Sequence, residues 1–522
     1  MPAFKGKFDF VIVGGGNAAG YAAKEYVSKG GPKGELLIIT SEPYCSYERP
    51  TCSKAYMKLE GGARLPKFHT SVGGGGDLQD DQWYPKHGIQ FMTNTEVTNI
   101  DFKKKQLSLA NQPPVEYGKL LLCTGSTVAD LKDMGTPGAE LENIMYLRNV
   151  ADADRILGRV KQLKTDGGKA VVIGGGYIGL EMTASLRSNG LDVTVVLPQE
   201  HFLSRMLTDE VGEFYESYYK EKGVTIRAKA RAVSFEPKSP GCKQVGVAVL
   251  DTGEKLQCDL CLVGVGARPN LGLFQGDLDM LDDKPGGVKV DGHMKTSQPD
   301  VYAAGDIAAF PLKRSGGSLT RMEHVSHARL SAAVAMAEML KPGSTHEYDY
   351  LPYFYSRIFD LHWEFYGSLE GSTVFFGDKK AKKFGTYWVK DGKVVGVFLE
   401  GGSPEEVEAI KSLSLEQPAA PKDLGQEMPR MMMQQPNQYF EQLGADKDLG
   451  NRALILPPAP DVKHLPPDHL SPAAPCSLVE ELHSCPPPLS QVFGQAIEIS
   501  ALGHWPSAPR NWEDFVSSGC QA

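Results

Sequence analysis

The chain has 522 residues, 41% hydrophobic and 23% charged, with a net charge of −9. This composition fits an ordinary soluble protein of two to four domains. The acidic balance gives no basis for nucleic-acid binding, and no apolar run approaches the ~20 residues that span a bilayer.

Nine cysteines, sparse and odd in number, suit a reducing compartment. No signal or transit peptide is read in MPAFKGKFDF and no peroxisomal address in GCQA, so a cytoplasmic location is expected.

From residue 8, FDFVIVGGGNAAGYAAKEY predicts a strand, a glycine turn and a helix. Gly14, Gly16 and Ala19 hold the three key positions of a dinucleotide-binding turn, and Gly15, Asn17 and Ala18 complete it. The glycines let the backbone approach a pyrophosphate, and the helix N-terminus offers it free N–H groups. GELLIITSEP predicts the next strand, with Glu42 placed beyond its end to meet an adenosine ribose. KLLLCTGS predicts a further strand ending at Thr124-Gly125.

GKAVVIGGGYIGLEMTASL repeats the pattern with Gly174, Gly176 and Gly179, Tyr177 and Ile178 between them and Glu181 directly after. Its second strand, LDVTVVLPQEH, reaches its end at Leu197 without an acid. Glu200 is the candidate to stand in, and Arg205 lies downstream. NADH is therefore expected, with NADPH left open.

LQCDLCLVGVG reads as a strand leading into GVGARPN, which carries Gly266. Cys258 and Cys261 would then point to opposite faces, ~10 Å apart along the strand and beyond disulfide reach. Cys45 and Cys52 flank Tyr47–Pro50 without the spacing of a redox motif. VYAAGDIA predicts a strand ending at Asp306, which is placed to cap a following helix. EHVSHARLSAAVAMAEM predicts a helix on which His324 and His327 share a face; with no third ligand, no metal site is expected.

LPYFYSRIFDLHWEFYG is dense in aromatics. If it is extended, Tyr353 and Tyr355 share one face and Phe354 the other, while Phe359, Trp363, Phe365 and Tyr366 read as core. FGTYWVKDGKVVGVFLEGG predicts a hairpin turning at Asp391-Gly392. Sixteen of the 35 prolines follow residue 415, so 416–522 reads as a disordered tail.

The motifs GGGNAAG, CTGS, GGGYIGLE, GVGARPN and VYAAGD resemble those of pyridine-nucleotide flavoprotein oxidoreductases. YERPTCSKAY, ARLPKFHTSVG, EHVSHAR, DYLPYFYSRIFD and FGTYWVKDGKVVGVFLEGGSP narrow the resemblance to monodehydroascorbate reductases over residues 1–412. The resemblance implies an α/β fold: two Rossmann-like domains of the glutathione-reductase-like flavoprotein type and a small α+β C-terminal domain. An FAD domain would span 1–148 and 267–345, an NAD(P) domain 149–266, and a domain covering the flavin 346–415.

The resemblance adds Arg49, Lys54 and Arg148 to the FAD-binding positions, and Asp306 there would meet the ribityl hydroxyls. At the NAD site, Glu181 would lie near the nicotinamide. The implied substrate is the monodehydroascorbate radical, a small anion. Arg329 would be its cation, with Arg321 as runner-up, and Tyr355 the aromatic between it and the flavin. A monomer or weak homodimer without nucleic-acid or membrane partners is expected. Ferredoxin- or rubredoxin-type reductases and apoptosis-inducing-factor-like flavoproteins are the alternatives.

Overall fold

The computed structural model describes residues 5–71, 77–281 and 286–426. Three sheets organise them. The first places Ile89–Met92, Leu36–Ile39, Lys7–Val13 and Gln112–Leu122 side by side and parallel, with Val301–Ala303 returning to pair along Gln112–Leu122. The second is a parallel sheet in the order Thr225–Arg227, Asp192–Val196, Lys169–Ile173, Leu260–Val263, Ile144–Tyr146. The third is antiparallel and spans Tyr353–Glu400.

The parallel strands are apolar without alternation because both faces are covered: Val11, Ile12, Leu36, Leu37 and Ile38 are all fully buried. Helix Asn17–Ser28 packs closely on helix Val325–Leu340. Small residues make that approach possible; Ala19, Ala22, Ala23, Ala332 and Ala335 are fully buried.

In four places the structure departs from the sequence expectations. Ile144–Tyr146, on the first-domain side of the boundary drawn at 148, pairs instead with Leu260–Val263 of the second sheet. The helix expected after Asp306 is a strand, Ala308–Leu312, because AAFPL is buried and finds a partner in Ser318–Arg321. Cys258 lies outside strand Leu260–Val263, beyond a bend at Asp259, so alternation does not separate it from Cys261. The two buried cysteines instead lie against one another, and this proximity and burial push the Cys261 thiol pKa up.

The fourth departure is at the tail. Residues 417–426, counted with it from composition, dock on the third sheet. Val394 N–H donates to the Pro418 carbonyl at 2.9 Å, Ala420 N–H to Gly392 at 2.8 Å, and Leu424 is buried. The remainder of the expected tail lies outside the described residues.

The aromatic stretch forms a tight hairpin, Tyr353–Ile358 against Leu361–Gly367. Tyr353 and Tyr355 stack at 5.7 Å on one face, while Trp363 and Phe365 are core. The Asp391-Gly392 hairpin forms as expected, with φ of 52° and 73° at the two turn residues.

The third sheet meets helix Asp209–Glu221 through a buried polar contact, in which the Tyr215 hydroxyl donates to Glu400 at 2.6 Å. Burial pushes the Glu400 carboxyl up from 4.5 to about 8. The folded protein thus keeps a proton that the unfolded chain gives up. This contribution to stability is fully present below pH 4.5 and is lost as pH rises through about 8. Thermal melts should show the wild-type Tm falling across that window more steeply than the Tm of Glu400→Gln. Parallel slopes would contradict the assignment.

Candidate functional site

Both glycine turns open onto one cavity of about 1000 Å³. On its first wall, Gly14 has φ +113°, and a Cβ there would meet the Cys123 carbonyl oxygen at 2.1 Å. A Cβ on Gly15 would meet Thr40 at 2.6 Å. Side chains are thus excluded where strand, turn and neighbouring loop converge, which is the cradle a pyrophosphate requires.

Glu42 lines the cavity and accepts hydrogen bonds from Arg49 Nη2 and the Tyr47 hydroxyl, both at 2.6 Å. Burial opposes its ionisation, but Arg49 and Tyr47 outweigh burial and hold the carboxyl below its usual range. Arg49 also donates to the Arg148 carbonyl at 2.9 Å, and Arg148 Nη2 to Asp306 at 3.0 Å. Gly16, Asn17, Ala18, Lys54, Thr124, Gly125, Arg148 and Asp306 line the same wall. Ala19, fully buried, packs the helix and does not line it.

The second turn repeats this geometry. Gly174 has φ +120°, and a Cβ would meet the Gly264 carbonyl oxygen at 2.3 Å. Gly179 stands against the Gly174 carbonyl, where a Cβ would approach to 2.3 Å, so its role is close helix–strand packing. Gly176, Tyr177, Ile178, Arg205 and Gly266 line the cavity. Glu200 does not: it is exposed and paired with Lys229 at 2.5 Å. Gln199, which was not singled out in the sequence, lines the wall in its place.

Glu181 is buried and also stands behind the wall. It accepts from Lys54 Nζ at 2.9 Å and from the Ser53 and Ser356 hydroxyls at 2.5 and 2.6 Å. One carboxylate therefore ties together turn Arg49–Ser53, helix Tyr177–Ser188 and strand Tyr353–Ile358. Lys54 lies over the Tyr355 ring at 5.3 Å, and both line the cavity. His324 lines it too, with its ring edge against Tyr353, Phe354 and Tyr355. Burial, helped by Arg329 and Lys54, lowers the His324 pKa to about 3, so the ring is neutral at pH 7. Its Nδ1 accepts from Ser326 N–H at 3.3 Å, which leaves the proton on Nε2. The sequence reading weighed His324 for a metal site and expected none; its helix-cap position directly before Val325 was the overlooked signal.

Neither of the two arginines singled out in the sequence lines the cavity, and the structure places them differently. Arg329 does not line the cavity; it is buried, paired with Glu48 at 2.7 Å, and its guanidinium lies over the Tyr21 ring. The helix Val325–Leu340 turns it toward helix Asn17–Ser28. Arg321 lies closer: it donates to the Asp306 carbonyl at 2.9 Å and to Glu323 at 2.5 Å, and both partners line the cavity.

Two nucleotide turns and an aromatic wall on one cavity define a pyridine-nucleotide oxidoreductase. The family described as pyridine nucleotide-disulphide oxidoreductase matches residues 8–332. The structure is similar to the putidaredoxin reductase in its covalent complex with putidaredoxin (TM-score 0.73, 26% identity, 81% of this chain and 98% of that one). It is also similar to a ferredoxin reductase of Rhodopseudomonas palustris (TM-score 0.71, 28% identity, 82% and 99% covered). The family uses flavin and nicotinamide cofactors.

Within it, the chain belongs to the monodehydroascorbate reductases. Residues 351–429 match the monodehydroascorbate reductase 3-like C-terminal domain. The enzyme of Pisum sativum is 48% identical over 421 residues, 79% of this chain and 95% of its own length. That of Solanum lycopersicum is 48% identical over 423 residues, 80% and 96% covered. A relative from Oryza sativa that is named peroxisomal is 46% identical, with 78% and 84% covered.

Proposed function

We infer that the chain reduces monodehydroascorbate radicals to ascorbate with NADH or NADPH, through FAD held on the first glycine turn. The reaction balances as one reduced nucleotide, one proton and two radical anions giving one oxidised nucleotide and two ascorbate monoanions. Bound flavin supplies the conversion of a hydride into single electrons.

The chain's residues supply binding and orientation. Gly14–Gly16 with Glu42 suit the adenosine and pyrophosphate end of FAD, and Asp306 its ribityl chain. Gly174–Gly176 suits the reduced nucleotide. Tyr355 forms an aromatic wall beside Lys54, and neutral His324 brings an Nε2–H donor to the same cavity. The observation that carries this reading is the meeting of both turns and Tyr355 on one cavity, in a chain 48% identical to relatives of that name.

Arg321 is proposed as the cation that draws the anionic radical. Arg321→Ala should raise the KM for the radical at least tenfold more than the KM for NADH. Equal changes in both would sink this role. Among the described residues no helix is long and apolar enough to cross a membrane. Relatives include proteins named peroxisomal.

A further inference from the structure

The two glycine turns can be superposed residue by residue through their own contacts. A Cβ on Gly15 would strike Thr40, and a Cβ on Gly175 would strike Leu197, so Thr40 and Leu197 are equivalent. The preceding strands end at Ile39 and Val196, which fixes the same register. Counting on, Glu42 of the first half corresponds to Gln199 of the second.

The ribose position of the reduced nucleotide is thus a neutral amide. The next residue, Glu200, turns out to solvent and pairs with Lys229. Arg205 is exposed on the cavity wall a few residues along and forms no hydrogen bond or ion pair with another described residue. The cavity's other arginines are engaged, Arg49 with Glu42 and Arg148 with Asp306.

An acid at the strand end favours NADH in two ways: it accepts from the ribose 2′-hydroxyl and repels a 2′-phosphate. Gln199 can still hydrogen-bond the hydroxyl, but it repels nothing. An arginine nearby is what a 2′-phosphate needs.

We propose that Gln199 and Arg205 make this chain dual-specific, with NADPH used at an efficiency comparable to NADH. The proposal rests on the reading of the second turn as the nucleotide site and revises the expectation of NADH preference.

Anaerobic rapid mixing of the holoenzyme with either nucleotide, following loss of flavin absorbance, separates the outcomes without any radical acceptor. Calorimetric titration with NAD⁺ and NADP⁺ supplies a second readout. NADPH efficiency within about tenfold of NADH is expected; a larger gap overturns the proposal. Gln199→Glu should shift the NADH:NADPH ratio at least tenfold toward NADH, and Arg205→Ala should shift the NAD⁺:NADP⁺ ratio of Kd values in the same sense. Unmoved ratios overturn the assignment of these residues. If neither nucleotide reduces the flavin, the nucleotide-site reading itself fails.

Discussion

Arg329→Ala is expected to destabilise the protein by about 3–5 kcal/mol, the penalty for leaving one member of a buried ion pair behind. Glu48 is fully buried and accepts a hydrogen bond from Arg329 Nη2 at 2.7 Å, with Asn17 Nδ2 at 2.6 Å and the Tyr21 hydroxyl at 3.1 Å among its neutral donors. Neutral donors do not cancel a buried charge, and Lys24, the other cation that Glu48 attracts, offsets only part of it. Thermal unfolding should therefore show a clear fall in Tm. Removing both charges, in Glu48→Gln with Arg329→Met, should recover much of the loss, because no ion is then stranded. An unchanged Tm with a KM effect confined to the radical would return Arg329 to the substrate site.

Glu181→Ala should cost a similar ~3–5 kcal/mol, and by the same physics. The Lys54 side chain is 5% exposed and loses its carboxylate at 2.9 Å. The cost is more than one pair, because Ser53 and Ser356 lose their acceptor as well. These links bind the third sheet to the first two, so the loss should loosen the wall that carries Tyr355. Thermal melts and flavin retention through gel filtration should both decline, and Glu181→Gln, which keeps an acceptor, should fall between Ala and wild type. A Glu181→Ala protein that melts as wild type and keeps its flavin would show that this junction contributes nothing.

Local pattern made much of this molecule readable. Two apolar runs, each followed by glycines and a helical period, were enough to place both parallel strands and both turns. Gly14 and Gly174 are legible because no other residue fits their positive φ and the carbonyl against them. Glu42 was legible by its distance from the turn.

Gln199 was missed because counting from an acid led to Glu200. The contact between Gly175 and Leu197 and the strand ends at Ile39 and Val196 set the register. The resemblance ranked Arg329 ahead of Arg321, but the sequence does not show which face a helix buries, since its neighbour decides that. Here Val325–Leu340 turns Arg329 toward the Asn17–Ser28 helix and Glu48. The Cys258–Cys261 contact was hidden for a similar reason: a bend at Asp259 breaks the alternation that a regular strand would impose. Residues 417–426 read as tail because proline density carries no information about an edge of sheet awaiting cover.

The central claim is that this cavity carries electrons from a reduced nicotinamide to the ascorbate radical. It is tested most directly by recording NADH consumption by the purified holoenzyme while ascorbate oxidase generates the radical from ascorbate. Oxidation that rises with radical supply, saturates and consumes two radicals per NADH is the predicted result. Oxidation no faster than in the absence of radical, with ferredoxin accepted in its place, would contradict the account.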